Sequence, residues 1–437
     1  MERFLIEGRA RLSGEVEVSG AKNAALKLAA AALLAPGKTI LHNVPRIKDV
    51  QTMLAVLEGL GAETSFSGRT LEIDASDIHS FTAPYELVRQ MRASIVVLGP
   101  LAARFGEAEV SAPGGCNLGL RKFNFHLDGL RALGAQVELD HGFIKASAPG
   151  GLRGAEVNFE YPSVTATENV MMAAVLAEGV TIIENGAREP EVGALADFLN
   201  AMGARVRGAG TGRIVIEGVE ELEPVEWTVM PDRIEAGTFI MAAAATGGDV
   251  AIRGARPEHL KMELEKLREM GVDVDVLGGP LGGPLGGPLG GVRVRVEDPP
   301  SLTGVDVSTL PFPGFATDLQ AQMMVLLTQA SGAGIITENV YENRLQVAEE
   351  LNRMNAGIDL FGGHRALVRG PRRLSGTIVQ SPDLRGGAAL VMAGLVAEGT
   401  TRVDGARHIL RGYENFEEKL SGLGATVAFE AGATISS

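Results

Sequence analysis

The chain has 437 residues, with 40 basic and 54 acidic side chains, and its formal net charge of −14 is too acidic for binding a nucleic-acid backbone by bulk charge. A hydrophobic content of 45% and a charged content of 22% are typical of a folded globular protein, and the length predicts two or three domains. Because Cys116 is the only cysteine, the chain cannot form an intrachain disulfide. The seven histidines lack the spacing of zinc ligands, so we expect no metal.

The first residues of the chain, MERFLIEGRARLSGEVEV, alternate between apolar and polar side chains and include several acids. This pattern is typical of a strand and lacks the apolar core of a secretion signal. No apolar stretch reaches the roughly 18 residues that a membrane-spanning helix requires. We therefore expect a cytoplasmic protein with no membrane partner.

A short pattern recurs six times along the chain: an amphipathic helix ends at a glycine, or once at an asparagine, and a strand follows. Successive copies are 73, 69, 68, 84 and 69 residues apart. The residue just past a helix end often adopts the left-handed conformation, which glycine and then asparagine tolerate best. The pattern predicts helix ends at Gly61, Gly134, Gly203, Gly271, Asn355 and Gly424.

Upstream of each amphipathic helix lies a second helix that is apolar on nearly every side, which predicts that it is buried. Strand pairs joined by glycine-containing turns complete each unit. The unit is thus helix, strand, helix and strand pair. Because a single core stops growing at roughly 250 to 300 residues, six units predict two domains of three units each.

The longest spacing between repeats contains a low-complexity segment, GGPLGGPLGGPLGG, at residues 278–291. It separates two strand-like segments, VDVDV and VRVRVE. Proline and glycine at this density form neither a helix nor an interior strand. We expect an exposed hairpin extension without a catalytic role.

Polar residues recur at the start of the six apolar helices, 14 residues before the glycine that ends each one. They are Asn23, Arg92, Thr165, Arg233, Asp318 and Arg385. A helix N-terminus favours an anion, and arginine strengthens that preference. The alternative is that Asn23, Thr165 and Asp318 only cap their helices and that the arginines are solvated.

A second series of cations lies in the loops before the amphipathic helices, at Lys48, Arg121, Arg344 and Arg411, and Lys22 adds another. An acidic protein with cations at equivalent loop positions is suited to a small, highly charged anion, either a polyphosphate or a phosphate with a carboxylate.

Cys116 lies in a glycine-rich loop, SAPGGCNLGLRK, at residues 111–122. A lone cysteine is often a small buried hydrophobe. Here the neighbouring Arg121 and Lys122 favour a thiolate, and the glycines suit a loop that closes over a substrate. The context predicts a functional cysteine.

Eight motifs, in their order along the chain, resemble those of the UDP-N-acetylglucosamine 1-carboxyvinyltransferase family of enolpyruvyl transferases. The resemblance covers essentially the whole chain. The motifs are SGAKNAAL at 19–26, the Gly-Gly-Cys loop ending in Arg121, SVTATEN at 163–169, PDRIEAGTF at 231–239, TDLQAQ at 317–322, ENR at 342–344, DLR at 383–385 and RGYE at 411–414. The resemblance implies an α/β fold, a two-domain inside-out α/β barrel of six βαβαββ-type units with buried helices. One domain would span 22–229, and the other would combine 1–21 with 230–437.

The resemblance implies transfer of enolpyruvyl from phosphoenolpyruvate to the 3-hydroxyl of UDP-N-acetylglucosamine with release of phosphate, the first committed step of peptidoglycan synthesis. It implies no cofactor, and fosfomycin as an inhibitor. Cys116 would act as acid and Asp318 as base. Lys22, Arg121 and Arg411 would contact phosphate, and Arg344 and Arg385 the carboxylate. The nucleotide-sugar contacts would be Asn23, Arg92, Arg121, Lys122, Phe123, Asn124, Phe125, Ser163, Val164, Thr165 and Val340.

The chain departs from the family pattern at three places. Lys122-Phe123-Asn124 stands where Pro-Val-Asp is usual, Thr165 replaces a glycine, and Leu410 replaces an aspartate. These changes concern substrate binding and leave the proton-transfer residues in place. Two alternatives stay open: 5-enolpyruvylshikimate-3-phosphate synthase, which does not rely on a loop cysteine, and a non-catalytic paralogue that binds nucleotide sugar.

Overall fold

A computed structural model describes residues 2–88, 91–112, 123–278 and 290–431, and of Arg92 it describes the backbone. The described residues form two compact units. We call residues from Gly20 to Met230 the middle unit, and residues up to Ser19 and from Pro231 onward the terminal unit. Cys116, Arg121, Lys122 and most of the 278–291 segment lie outside the described residues.

The chain begins with two strands of the terminal unit, β1 (Arg3–Glu7) and β2 (Ser13–Glu17). The middle unit follows, with α1 (Lys22–Ala31), β3 (Lys38–His42), α2 (Lys48–Leu60), β4 (Glu63–Ser67), β5 (Thr70–Asp74), α3 (Tyr85–Val88), α4 (Leu98–Phe105), β6 (Glu107–Ser111), α5 (Asn124–Ala132), β7 (Gln136–Asp140), β8 (Phe143–Ser147), β9 (Glu156–Asn158), α6 (Val164–Ala174), β10 (Val180–Glu184), α7 (Pro190–Ala201), β11 (Arg205–Arg207), β12 (Arg213–Glu217) and β13 (Glu226–Thr228).

The remainder of the terminal unit consists of α8 (Arg233–Ala245), β14 (Asp249–Arg253), α9 (Lys261–Met270), β15 (Asp273–Leu277), β16 (Gly291–Arg295), β17 (Val307–Ser308), α10 (Gln320–Gln329), β18 (Gly332–Thr337), α11 (Val347–Arg353), β19 (Ile358–Phe361), β20 (Arg365–Gly370), β21 (Ile378–Gln380), α12 (Leu384–Val396), β22 (Thr400–Asp404), α13 (Phe416–Gly422) and β23 (Val427–Glu430). Short 3₁₀ segments include Arg92–Val97, Thr317–Leu319, Arg344–Gln346 and Ala406–Arg411.

The strands pair in the same way in each repeat. Sheet orders are β13-β3-β5-β4, β6-β8-β7 and β11-β12-β10-β9 in the middle unit, and β15-β16-β14-β2, β17-β18-β20-β19 and β21-β22-β1-β23 in the terminal unit. Two antiparallel pairings and one parallel edge pairing recur, and in the three-stranded sheet a parallel bridge from Thr82 to Glu109 takes the place of the edge strand. The predicted sixfold repeat is therefore confirmed within the described residues.

The apolar helices lie in the cores of their units, as predicted. In the terminal unit every residue of α8 is buried, and α8, α10 and α12 pack against one another. In the middle unit α4 packs against α6, and α1 contacts the 3₁₀ segment Arg92–Val97 that leads into α4. Burying a helix on all sides requires apolar side chains all round, which explains their composition.

The predicted helix ends are also confirmed. The six residues that follow the amphipathic helices all have positive φ, from 72° at Asn355 to 110° at Gly61. These are the left-handed angles that a side chain penalises, and asparagine is the non-glycine residue that tolerates them best. The two strand-like segments beside the 278–291 insert pair as β15 and β16, antiparallel as expected.

No helix in the part of the chain that the structure describes is long and apolar enough to cross a membrane.

Two glycines inside helices of the middle unit make a matched test of packing. A Cβ atom on Gly99 in α4 would lie 2.3 Å from the backbone oxygen of Asn169 in α6, whereas one on Gly193 in α7 would have no atom within 4 Å. Gly193→Ala should stabilise the protein by about 0.5–1 kcal/mol through helix propensity. Gly99→Ala should instead destabilise by about 1–3 kcal/mol through the clash.

Thermal unfolding of both variants beside the wild type provides the measurement. Opposite shifts of the unfolding midpoint are expected. A Gly99→Ala midpoint at or above that of the wild type would show that α4 and α6 are less closely packed than described.

Candidate active site

The polar residues predicted at the helix entrances are found there. Asn23 and Thr165 are second in α1 and α6, Arg92 begins a 3₁₀ segment, Arg233 begins α8, Asp318 lies in the 3₁₀ segment that leads into α10, and Arg385 is second in α12. The alternative that the arginines at these helix starts are solvated is wrong for two of them. Arg233 is 9% exposed and Arg385 is 3% exposed.

Three of the predicted residues meet in the terminal unit around the carboxylate of Asp318. The Nη2 atom of Arg344 lies 2.8 Å from Oδ1 of Asp318. From the other side, Nε and Nη2 of Arg385 each lie 3.2 Å from Oδ2. Charge-assisted hydrogen bonds of this kind fix the orientation of a carboxylate and favour its ionised form. We call Asp318, Arg344 and Arg385 the carboxylate clamp.

The two guanidinium groups of the clamp keep their charge although they are buried. Burial opposes the charge of Arg344, but Asp318 and Asp383 outweigh it and hold the pKa of Arg344 above its ordinary value. Burial also disfavours the charge of Arg385, but the interactions with Tyr413 and Asp318 outweigh burial and raise the pKa of Arg385 as well. The Nη1 atom of each arginine is buried and has no hydrogen-bond partner among the described residues. The clamp therefore has donor capacity that Asp318 does not use.

Arg385 packs against Tyr413, which belongs to a buried polar cluster with Thr238 and Gln322. The guanidinium carbon of Arg385 lies 5.3 Å from the ring centre of Tyr413. The Tyr413 hydroxyl lies 2.9 Å from the Thr238 hydroxyl, and the Gln322 amide donates to both oxygens at 3.3 and 3.1 Å. The ring of Tyr413 packs, and its hydroxyl also joins α8 to α10.

Glu338, at the end of β18, links the two loops that carry Asp318 and Arg344. One of its carboxylate oxygens accepts a hydrogen bond from the Thr317 hydroxyl at 2.9 Å. The other accepts the backbone N–H groups of Val340 and Tyr341 at 2.8 and 3.0 Å. Glu338 is 3% exposed, so these bonds are shielded from water. Sequence reasoning missed this residue, although an acid that follows a strand just before the ENR motif was a visible signal.

In the middle unit, Lys22 forms a buried ion pair with an aspartate that sequence reasoning also missed. The Lys22 Nζ atom lies 2.6 Å from Oδ2 of Asp49, and the two residues are 8% and 3% exposed. Asp49 follows Lys48, which belongs to the predicted second series, at the start of α2. Asn23 lies beside Lys22 and is partly exposed.

Six of the predicted nucleotide-sugar residues of the middle unit lie at the starts of α5 and α6. Ser163 is the N-cap position of α6, followed by Val164 and Thr165, and Phe123 is the N-cap position of α5. Asn124 and Phe125 line a cavity of about 450 Å³. Its other lining residues include the carboxylates Asp128, Glu156 and Glu160. Carboxylates suit the hydroxyl and N–H donors of a ribose and a base better than they suit phosphates.

Val340 and Arg411 complete the predicted set among the described residues. Val340 is held through its backbone N–H by Glu338, and Arg411 ends the 3₁₀ segment Ala406–Arg411 in the terminal unit.

Comparison with known proteins shows the family to which the chain belongs. The EPSP synthase (3-phosphoshikimate 1-carboxyvinyltransferase) family model matches residues 6–420. The enolpyruvyl transferase NikO from Streptomyces tendae has a similar structure, with a TM-score of 0.85 and 26% identity over 99% of both chains. EPSP synthase from Acinetobacter baumannii shares the fold, with a TM-score of 0.77 at 21% identity over 99% of this chain and all of that one. The chain therefore belongs to the EPSP synthase family of enolpyruvyl transferases, and the predicted fold class is confirmed.

Within the family, three similar curated relatives carry the same name. Proteins named UDP-N-acetylglucosamine 1-carboxyvinyltransferase from Desulfosudis oleivorans, Trichlorobacter lovleyi and Halorhodospira halophila are 51%, 49% and 50% identical to this chain. Each match covers 98% of this chain and 99% of the relative.

The position of Glu338 gives a prediction about stability. Glu338→Ala leaves three donors without their acceptor, which costs about 1–3 kcal/mol. At about 2–4 °C per kcal/mol for a unit of this size, the unfolding midpoint of the terminal unit should fall by several degrees. Glu342→Ala removes an exposed acid four residues further on and should leave the midpoint within about one degree of the wild type, as surface substitutions usually do. Equal midpoints for the two variants, measured by calorimetry, would contradict the linking role of Glu338.

Proposed function

We propose that this protein transfers enolpyruvyl from phosphoenolpyruvate to the 3-hydroxyl of UDP-N-acetylglucosamine, with release of phosphate. The observation that carries the proposal is the carboxylate clamp. It combines a carboxylate with two buried guanidinium groups, each of which has an Nη1 atom without a partner among the described residues. A reaction that deprotonates a hydroxyl and binds a carboxylate uses both features. The names of the relatives that are about half identical favour the same acceptor.

The proposed reaction is an addition followed by an elimination. Asp318 accepts the proton of the 3-hydroxyl, and the oxygen forms a bond to C2 of phosphoenolpyruvate while C3 gains a proton. The tetrahedral adduct then loses a proton from C3 to the thiolate of Cys116 as the bond from C2 to the phosphate oxygen breaks, which restores the double bond and releases phosphate. The electron pair of that bond leaves with the phosphate.

Each remaining residue of the predicted set has a proposed role. Cys116 is the acid that protonates C3 and can attach to phosphoenolpyruvate. Lys22, Arg121 and Arg411 bind the phosphate, and Arg344 and Arg385 bind the carboxylate through the donors that Asp318 leaves unused. Fixed cations next to developing negative charge lower the barrier because they need no reorganisation during the reaction. Asn23, Arg92, Arg121, Lys122, Phe123, Asn124, Phe125, Ser163, Val164, Thr165 and Val340 bind the nucleotide sugar.

We also propose that the reaction begins peptidoglycan synthesis in the cytoplasm and thereby serves cell-wall formation, cell shape and division. The two substrates are the proposed partners of the protein.

The family model alone also fits 5-enolpyruvylshikimate-3-phosphate synthase. The Gly-Gly-Cys loop around Cys116 favours the nucleotide sugar, because the sister enzyme does not rely on a loop cysteine, and the names of the relatives favour the same acceptor. Phosphate release from phosphoenolpyruvate, measured with UDP-N-acetylglucosamine and separately with shikimate 3-phosphate, decides between them. Release with the first acceptor alone is expected. Release with the second supports the sister enzyme, and binding of UDP-N-acetylglucosamine without any release supports the non-catalytic paralogue.

Asp318→Asn tests the proposed base. The amide keeps the shape of the carboxylate but cannot accept the hydroxyl proton. Turnover should fall by about 10² or more, the usual scale for a general base, while affinity for UDP-N-acetylglucosamine stays within about tenfold. Asp359→Asn, which changes an exposed aspartate on β19, is the matched control and should keep wild-type turnover. If affinity and turnover fall together in Asp318→Asn, the residue positions substrate instead.

Fosfomycin, an epoxide that mimics phosphoenolpyruvate, tests the role of Cys116. It should alkylate this single thiol, and UDP-N-acetylglucosamine should accelerate the labelling. Cys116→Asp should escape alkylation and retain some turnover because it keeps an acid, whereas Cys116→Ala should lose most turnover. Intact-mass measurement reports the adduct. An unlabelled wild type in the presence of nucleotide sugar, or a fully active alanine variant, would make Cys116 a structural residue.

A further inference from the structure

A chain of hydrogen bonds runs through the middle unit from a backbone amide to the hydroxyl of Thr165. The N–H of Gly99 donates to Oδ1 of Asn169 at 2.8 Å. The Nδ2 atom of Asn169 lies 3.0 Å from Nδ1 of His126, and Nε2 of His126 lies 3.2 Å from Oγ1 of Thr165. Asn169 is fully buried and His126 is 4% exposed, so the chain is shielded from water.

The direction of every bond in this chain follows from its first member. A backbone N–H can only donate, so Asn169 must present its carbonyl oxygen to Gly99 and its NH₂ group to His126. An NH₂ group can also only donate, so Nδ1 of His126 is an acceptor and carries no proton. The neutral ring then has its proton on Nε2 and donates it to Thr165.

The Thr165 hydroxyl is consequently left with a proton to give. Its oxygen accepts from His126, and its own proton has no acceptor among the described residues. The residue is partly exposed, so a ligand can reach it. The close packing of α4 on α6 at Gly99 keeps the first bond in place.

We propose that Thr165 is a specificity-determining residue for the nucleotide sugar, and that Asn169 and His126 are positioning residues that make its hydroxyl a donor. This inference rests on the proposed function. The recognised group is an oxygen that bears no hydrogen, either a phosphate oxygen of the nucleotide or the carbonyl of the N-acetyl group. A glycine at this position, as in the family pattern, provides no such donor.

Two substitutions at Thr165 separate the hydroxyl from the shape of the side chain. Thr165→Val is nearly isosteric and lacks the hydroxyl, and Thr165→Ser keeps the hydroxyl. Titration calorimetry should show about tenfold weaker binding of UDP-N-acetylglucosamine to the valine variant and near wild-type binding to the serine variant. A parallel titration with UDP locates the acceptor. Weaker binding of both ligands assigns it to the nucleotide, and weaker binding of UDP-N-acetylglucosamine alone assigns it to the sugar.

Asn169→Asp reverses the chain while keeping its shape. An aspartate still accepts from Gly99, but its other oxygen accepts from His126, which moves the ring proton to Nδ1. Nε2 then becomes an acceptor, and Thr165 must donate to it instead of to the ligand. Asn169→Asp should therefore weaken binding about as much as Thr165→Val, and the double variant should bind no more weakly than either single variant.

The position of the ring proton of His126 tests the hydrogen-bond chain directly, because a merely structural role would not require one particular tautomer. This measurement uses the wild type and does not depend on whether Asn169→Asp folds. Nitrogen-15 NMR of the wild type, with His126→Gln to assign the signal, should show the proton on Nε2. A proton on Nδ1, or wild-type affinity in Thr165→Val, overturns the inference. A wild type that binds no UDP-N-acetylglucosamine contradicts the proposed function itself, whereas equal binding by wild type and Thr165→Val contradicts only the role of Thr165.

Discussion

The chemistry of the terminal unit depends on one carboxylate that two buried guanidinium groups hold in place. A single arginine beside Asp318 would fix one oxygen, but Arg344 and Arg385 each bind a different one. Burying two cations is costly unless an anion compensates their charge. Asp318 therefore stabilises the buried arginines, and the arginines in turn orient Asp318. Their Nη1 donors, which have no partner among the described residues, suit a second anion.

The repeated unit explains how these side chains come together. Asp318 precedes α10 and Arg385 begins α12, and these two buried helices pack side by side. Arg344 comes from the loop before an amphipathic helix, the second predicted series. The middle unit repeats this arrangement with the charges exchanged, because Lys22 at the entrance of α1 pairs with Asp49 at the start of α2. Both units thus place a charged pair near the start of a buried helix and the start of the amphipathic helix that follows it.

Much of the fold could be predicted because its signals are local. A glycine or asparagine with positive φ marks each helix end, and the apolar helices are recognisable from composition alone. The clamp could not be derived in detail, because Asp318 and Arg385 are 67 residues apart and meet only through tertiary packing. Glu338 and Asn169 were missed for a related reason. Their roles depend on which donors face them, and sequence periodicity carries no information about that.

We infer that the two arginines keep Asp318 ionised and therefore able to accept a proton. Difference infrared spectroscopy of the wild type against Asp318→Asn, at neutral pH and without substrates, tests it most directly. The account predicts that the substitution removes a carboxylate stretching band. Loss of the C=O band of a protonated carboxylic acid instead would contradict it, because a neutral Asp318 could neither compensate the two guanidinium groups nor act as the base.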